Sequence, residues 1–118
     1  YARLASVWRV VGKKVDALRE NGELVVIEVT ILREFKAALE LVPSVILMDN
    51  WPLHKIHQAV MLLKKRNAGA SHKLCFLEVS GGVTLANVRD IAQTGVDGIS
   101  IGRLTHSAPS LDVSLQVT

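Results

Sequence analysis

Polar residues that could carry chemistry follow short apolar runs at regular intervals along the chain. Glu28 lies inside "VVIEVT", Asp49 is near the end of "VILMDN", and a Ser-Gly-Gly run at 80–82 follows "KLCFLEV". A further glycine, Gly102, closes "GISIG" four residues before His106. In proteins that alternate strands and helices, reactive groups gather where the carboxyl ends of parallel strands meet. We therefore expect two acids, a glycine pair and a glycine with a histidine to share one rim.

The two acids have the chemistry of a cation site. A carboxylate buried in an apolar strand costs of the order of several kcal/mol unless it is paired or bound to a cation. Glu28 and Asp49 could together hold Mg²⁺, or stabilise positive charge that develops on a sugar carbon. Plainer roles stay open: Glu28 could face solvent, and Asp49 could cap a helix that begins near Pro52.

The glycine pair has the chemistry of a phosphate site. Backbone N–H groups of a glycine-rich turn at a helix N-terminus can point at an anion, and a missing Cβ lets a phosphate approach closely. Gly81 and Gly82 fit this description, and Ser80 adds a hydroxyl donor. Barrel enzymes often bind phosphate with the loops after two consecutive late strands, which brings in Gly102 and His106. An ordinary glycine turn is the alternative.

Two alternating periods predict the elements that position these residues. Helical spacing of apolar residues predicts helices over 3–20, 32–42, about 52–66, and 85–94 with Thr84 as its cap. Short apolar runs predict strands over 23–30, 44–50, 73–79 and 98–102. Because these strands hardly alternate, we expect a parallel sheet with both faces buried. Four such units favour about half of an eight-stranded α/β barrel, or an open doubly wound sheet.

The C-terminal segment breaks this rhythm. In "SLDVSLQV" (110–117) apolar and polar residues alternate, as in an antiparallel strand with one face in water. We expect this strand to pair with a sheet outside the barrel.

Composition and charge restrict the classes of function. The chain has 118 residues, 49% of them apolar and 21% charged, and a net charge of +3. This charge suits phosphorylated small molecules and is too weak to indicate nucleic acid. No apolar run approaches the ~18 residues of a membrane span. The single cysteine, Cys75, lies in an apolar run, which predicts a buried thiol and favours the reducing cytoplasm.

Four motifs together resemble the C-terminal part of the quinolinate phosphoribosyltransferase family. They are "VIEVT", "VILMDN", "LEVSGGVTLANVRDIAQTGVDGISIGRLTHS" and "LDVSL", in this order and spacing. The resemblance implies a partial α/β barrel over 1–109 and a C-terminal strand over 110–118 that returns to an N-terminal sandwich domain. It also implies the reaction of quinolinate with phosphoribosyl pyrophosphate to nicotinate mononucleotide, pyrophosphate and CO₂. This Mg²⁺-dependent step belongs to NAD biosynthesis, and the complete enzyme is expected to be a homodimer or a higher oligomer.

The resemblance implies a role for each residue at the strand ends. Glu28 and Asp49 match the family's acids near the ribose and the metal, and are therefore the expected catalytic and metal-binding residues. The residues that match the family's contacts around the donor's phosphate are Ser80, Gly81, Gly82, Gly102 and His106. The family's motifs that grip the carboxylates of quinolinate lie upstream, so the isolated chain is expected to be inactive.

Some features differ from the family pattern and leave alternatives open. Val26 and Thr30 stand where family members often carry further acids, and Arg103 stands where a small or apolar residue is usual. The chain begins at Tyr1 without methionine, which favours a fragment of a longer protein. One alternative is a non-catalytic phosphate-binding half-barrel, for which exposed edges predict self-association. Another is the paralogous pyrophosphorylase of molybdenum-transport loci, which shares these motifs.

Overall fold

The structure, a computed structural model, describes residues 2–70, 74–101 and 111–114, and the side chains of 8–70 and 74–101. Helices and strands alternate along the chain in the predicted order. They are α1 (Ala2–Glu20), β1 (Val25–Val29), α2 (Leu32–Leu41), β2 (Val45–Asp49), α3 (Leu53–Asn67), β3 (Phe76–Ser80), α4 (Val88–Gln93), β4 (Gly98–Ile99) and β5 (Leu111–Ser114). None of the described helices is both long and apolar enough to span a bilayer.

The strands form one sheet in the order β4-β3-β2-β1-β5, and every described pair is parallel. From β1 to β4, neighbours along the chain are therefore neighbours in the sheet. A doubly wound sheet reverses its strand order at a switch point, whereas the wall of a barrel keeps one direction. The prediction of a partial α/β barrel is confirmed, since β1 to β4 keep one direction and only β5 lies on the other side of β1.

The C-terminal strand differs from its prediction. β5 pairs in parallel with β1, with Val25 beside Leu111 and Ile27 beside Val113. The expected antiparallel strand is therefore wrong for this chain, because β5 adds in parallel beside β1. Without β5, β1 would be the edge of the sheet, and unpaired edge N–H and C=O groups favour the addition of a strand. The return of residues 110–118 to another domain stays a prediction.

One face of the sheet carries the core. Alternate strand residues are buried against the helices: Val25, Ile27, Val29, Ile46, Met48, Leu77 and Val79. The opposite face, which we call the inner face, carries side chains that are only half-buried: Val26, Glu28, Val45, Leu47, Asp49, Glu78 and Ser80. The expectation that both faces are buried is therefore wrong. Four consecutive strands form only part of a barrel wall, so they cannot enclose their inner face.

The helices bury the stripes that their spacing predicts. In α3 all four predicted core residues are buried: Ile56, Ala59, Val60 and Leu63. In α1, Trp8 and Val15 are buried, whereas the side chains of Leu4 and Val7 lie outside the described set. Cys75 is a buried thiol, as predicted. The basic residues 64–66 occupy the last turn of α3, where they complement the negative end of the helix dipole.

Candidate functional site

The two predicted acids lie on the inner face of neighbouring strands. Glu28 of β1 is in register with Leu47 of β2, and Asp49 follows two residues later on the same face. Both carboxylates are half-buried, so the solvent-facing alternative for Glu28 is not what the structure shows. With strands ~4.8 Å apart and a rise of ~3.3 Å per residue, their Cα atoms are about 8 Å apart. This spacing leaves room for a ligand between the two carboxylates.

The donor set fits a hard cation that takes most of its ligands from elsewhere. Among the described side chains, no group of three or more His, Cys, Asp or Glu residues is close enough to hold a metal ion. Mg²⁺ is usually held by one or two carboxylates together with substrate phosphates and water. Glu28 and Asp49 match that mode, and do not form a cation cage made of protein alone.

Asp49 is also in direct contact with the glycine turn of the next strand. Ser80 pairs with Asp49 in the sheet, and its Oγ donates a hydrogen bond to Asp49 Oδ1 at 3.4 Å. A Cβ added at Gly81 would lie 2.7 Å from the same Oδ1 atom. The alternative role for Asp49 as a helix cap is not seen, because α3 begins after Pro52 without a side-chain cap. The predicted cation site and the predicted phosphate site are therefore adjacent.

The glycine turn has a backbone that only glycine adopts readily. Gly81 and Gly82 have φ values of 73° and 67°, in the left-handed region. A Cβ on Gly82 would lie 2.8 Å from the side-chain oxygen of Asn50, which itself has a φ of 58°. Asn50 N–H also donates to the carbonyl of Ser80 at 2.8 Å. Within the described part of the chain, the N–H groups of Gly81, Gly82 and Val83 donate no hydrogen bond.

The helix after the turn begins later than predicted. α4 starts at Val88 rather than at 85, so residues 83–87 separate the glycine pair from the helix. The prediction that Thr84 caps this helix is wrong, because Asn87 occupies the N-cap position of α4 and its side chain makes no capping hydrogen bond. Thr84 and Asn87 instead bond to each other: Asn87 N–H donates to Thr84 Oγ1 at 3.3 Å, and Thr84 N–H donates to Asn87 Oδ1 at 2.8 Å. These reciprocal bonds fold residues 84–87 as a turn. An anion at the glycine pair would therefore be held by turn N–H groups and not by the end of a helix.

A buried indole fixes the loop that follows Asp49. Trp51 Nε1 donates to the carbonyl of Val29 at 3.0 Å, which joins this loop to the end of β1. The Trp51 ring also packs edge to face against Phe35, with 6.0 Å between ring centroids. These contacts hold together the ends of the two strands that carry the acids.

We predict that Trp51→Phe lowers the free energy of unfolding by about 1–3 kcal/mol, because it leaves the buried Val29 carbonyl without its donor. Trp8→Phe is the matched control, since Trp8 is equally buried and its Nε1 has no partner among the described residues. Urea unfolding of both variants measures the difference. Equal losses in the two variants would contradict the role of the indole N–H.

A further acid on the inner face was not assigned a role from the sequence. Glu78 lies in register with Leu47 and accepts a hydrogen bond from Ser100 Oγ at 2.5 Å. A Cβ added at Gly98 would lie 3.4 Å from Glu78 Cγ, so Gly98 leaves little spare room beside this acid. Sequence reasoning also gave no role to the side chains of Asn50 and Asn87. Of these two asparagines, only Asn50 offered a signal in the sequence, because it directly follows Asp49 in "VILMDN".

The structure brings five of the seven predicted site residues to one rim: Glu28, Asp49, Ser80, Gly81 and Gly82. Gly102 and His106 lie outside the described residues, so their place in the phosphate site stays a prediction.

Comparisons with known proteins show the family of this chain. Residues 2–116 match the family model described as quinolinate phosphoribosyl transferase, C-terminal domain. The chain is 40% identical over 112 residues to the nicotinate-nucleotide pyrophosphorylase (carboxylating) of Mycobacterium leprae. The alignment covers 91% of this chain and 38% of that protein. It is 33% identical over 110 residues to the human protein of the same name, with 91% and 35% covered.

A solved structure shares the fold as well as the sequence. The nicotinate-nucleotide pyrophosphorylase from Francisella tularensis superposes with a TM-score of 0.62 at 33% identity, over 77% of this chain and 29% of that one. The chain spans about a third of the length of the curated relatives it matches. The match along residues 2–116 shows that this chain belongs to the quinolinate phosphoribosyl transferase family, as its C-terminal domain.

Proposed function

We propose that the complete protein transfers a phosphoribosyl group to quinolinate and releases pyrophosphate and CO₂, giving nicotinate mononucleotide for NAD biosynthesis. The observation that carries this proposal is the contact between the acid and the glycine turn. Ser80 donates to Asp49, and Gly81 lies so close to Asp49 that a Cβ would not fit. A phosphorylated sugar could therefore have its ring beside the acids and its phosphate on the turn.

The carboxylates suit the charge that develops during the transfer. As the bond between the ribose carbon and pyrophosphate breaks, its electron pair leaves with pyrophosphate and positive charge grows on the sugar. Glu28 and Asp49 lie on one face, where fixed negative charge stabilises that carbon until the pyridine nitrogen bonds to it. The bond from the ring to the neighbouring carboxylate then breaks, CO₂ leaves, and the ring carbon that keeps the electron pair takes a proton from water, which completes the reaction. Mg²⁺, when bound at these acids, would neutralise the pyrophosphate.

The glycine turn suits the phosphate of the sugar. Three successive N–H groups make no other hydrogen bond within the described residues, and the hydroxyl of Ser80 lies next to them. Such N–H groups bind anions without a charged side chain. We assign Gly102 and His106 to the same phosphate by their match to the family motif.

Quinolinate itself must be held by residues beyond this chain. The chain spans about a third of the length of its relatives, and the resemblance to the family implies that the cationic motifs lie upstream of this part. We propose that the complete protein is cytoplasmic and a homodimer or higher oligomer. A partner subunit would then add to the site.

We predict that the isolated 118-residue chain forms no nicotinate mononucleotide, whereas the complete protein does. The measurement is chromatography of the product after incubation with quinolinate, phosphoribosyl pyrophosphate and Mg²⁺. Turnover by the isolated chain would contradict the assignment of quinolinate binding to the missing part. An inactive complete protein that still binds phosphoribosyl pyrophosphate would favour the non-catalytic half-barrel, and use of another acceptor would favour the molybdenum-locus paralogue.

A further inference from the structure

The side chain of Asn87 is hydrogen-bonded at both ends of its amide. Its Oδ1 accepts from the N–H of Thr84 at 2.8 Å, and its Nδ2 donates to the carbonyl of Gly82 at 2.9 Å. The first bond closes the turn before α4. The second bond is not needed to close that turn, because it reaches back five residues to the carbonyl of Gly82.

The bond to Gly82 also determines where the next N–H points. Every described peptide bond is trans. The carbonyl of Gly82 and the N–H of Val83 therefore lie in the same peptide plane and point in opposite directions. Asn87 holds that carbonyl on its own side, which turns the Val83 N–H away from Asn87. Among the described residues this N–H has no acceptor. It is thus fixed in direction and available to a ligand.

The opposite side of the turn is fixed by the neighbouring strand. A Cβ on Gly81 would lie 3.2 Å from the backbone nitrogen of Asn50, and one on Gly82 would lie 2.8 Å from Asn50 Oδ1. The turn is therefore held between Asn50, which directly follows β2, and Asn87, which directly precedes α4. Rotation of the Gly82–Val83 peptide, which changes ψ of Gly82 and φ of Val83, would break the Asn87 bond.

We propose that Asn87 is a positioning residue for phosphate binding, which acts by holding the Gly82 carbonyl so that the Val83 N–H faces the phosphate. The inference rests on the proposed function of the glycine turn. Asn87 does not touch the phosphate itself, and a neutral amide is needed because only it can accept from Thr84 and donate to Gly82 at once.

Three variants of the complete protein separate positioning from capping and from charge. Asn87→Ala removes the donor without adding charge, and Asn87→Asp keeps the acceptor for Thr84 but removes the donor. Thr84→Val is the matched control, because it removes only the hydroxyl that accepts from Asn87 N–H. Both Asn87 variants are expected to raise the KM for phosphoribosyl pyrophosphate about tenfold, since a hydrogen bond to a charged group is at stake. The KM for quinolinate should stay unchanged, and Thr84→Val should lower only the melting temperature.

A binding measurement with inorganic phosphate tests the same inference without catalysis. In the ¹⁵N-labelled complete protein, phosphate is expected to shift the Val83 amide signal, and this shift should be lost in Asn87→Ala. An unchanged Val83 signal in the parent protein would overturn the proposal. So would weaker phosphate binding in Asn87→Asp alone, which would indicate charge repulsion, or equal effects of Asn87→Ala and Thr84→Val, which would indicate capping. If phosphate binds as expected but quinolinate is not converted, the proposed function fails and the positioning role stands.

Discussion

Replacement of Gly81 with alanine in the complete protein is expected to lower kcat/KM for phosphoribosyl pyrophosphate by at least about a hundredfold. The new Cβ would lie 2.7 Å from Asp49 Oδ1, closer than real Cβ contacts, and 3.2 Å from the nitrogen of Asn50, which is a tight contact. The carboxylate of Asp49 or the turn must therefore move. A displacement of about 1 Å at a reacting centre can cost about a hundredfold in rate. Steady-state kinetics with varied phosphoribosyl pyrophosphate measures the loss.

Gly22→Ala is the matched control for this substitution. Gly22 has a φ of 75°, almost the same as the 73° of Gly81, but no heavy atom lies within 4 Å of the added Cβ. Both variants bear the cost of a left-handed alanine, about 1–2 kcal/mol, so their melting temperatures should fall. Only Gly81→Ala should lose activity beyond what its stability explains. Normal kcat/KM in a folded Gly81→Ala protein would contradict the contact between the turn and the acid.

Removal of the negative charge of Glu28 or of Asp49 is expected to have the second large effect on activity. Glu28→Gln and Asp49→Asn keep the size of each side chain but remove the negative charge that favours a positive sugar carbon. We expect each variant to lower kcat by about a hundredfold to a thousandfold, the range found when one transition-state contact is lost. Asp49→Asn can still accept from Ser80, so the sheet pairing should persist. Kinetics at saturating Mg²⁺ and substrates measures kcat directly.

Glu23→Gln is the control for these charge changes. Glu23 is exposed and precedes β1 by two residues, so its loss alters net charge without altering the inner face. Its kcat should match that of the parent protein. If Glu28→Gln and Asp49→Asn behaved like Glu23→Gln, the two acids would not be catalytic.

The helices and strands could be predicted because the spacing of apolar residues along the chain matches the face that each element buries. The spacing of Ile56, Ala59, Val60 and Leu63 predicted the buried face of α3, and all four are buried. Placement of Glu28 and Asp49 on one rim followed from a rule about parallel strands, which needs no knowledge of the contacts. The same rule placed Ser80 on that rim, and the structure shows that it pairs with Asp49.

Features that depend on distant or missing neighbours could not be read from the pattern. Strand composition does not show whether a barrel wall is complete, so the half-buried inner face was not expected. The alternation in "SLDVSLQV" indicated one face in water, but did not identify β1 as the available partner. The roles of Asn50 and Asn87 depend on contacts with the glycine turn that no periodicity encodes.

The central claim is that this chain supplies the phosphoribosyl half of a decarboxylating transferase site. Its most direct test uses the complete protein, quinolinate labelled in the carboxylate beside the ring nitrogen, and unlabelled phosphoribosyl pyrophosphate with Mg²⁺. We predict that labelled CO₂ and pyrophosphate are released in equal amounts, only when both substrates are present, and that Asp49→Asn slows the release of both by about a hundredfold to a thousandfold. Release of pyrophosphate without labelled CO₂, or CO₂ release by Asp49→Asn at the rate of the parent protein, would contradict the claim.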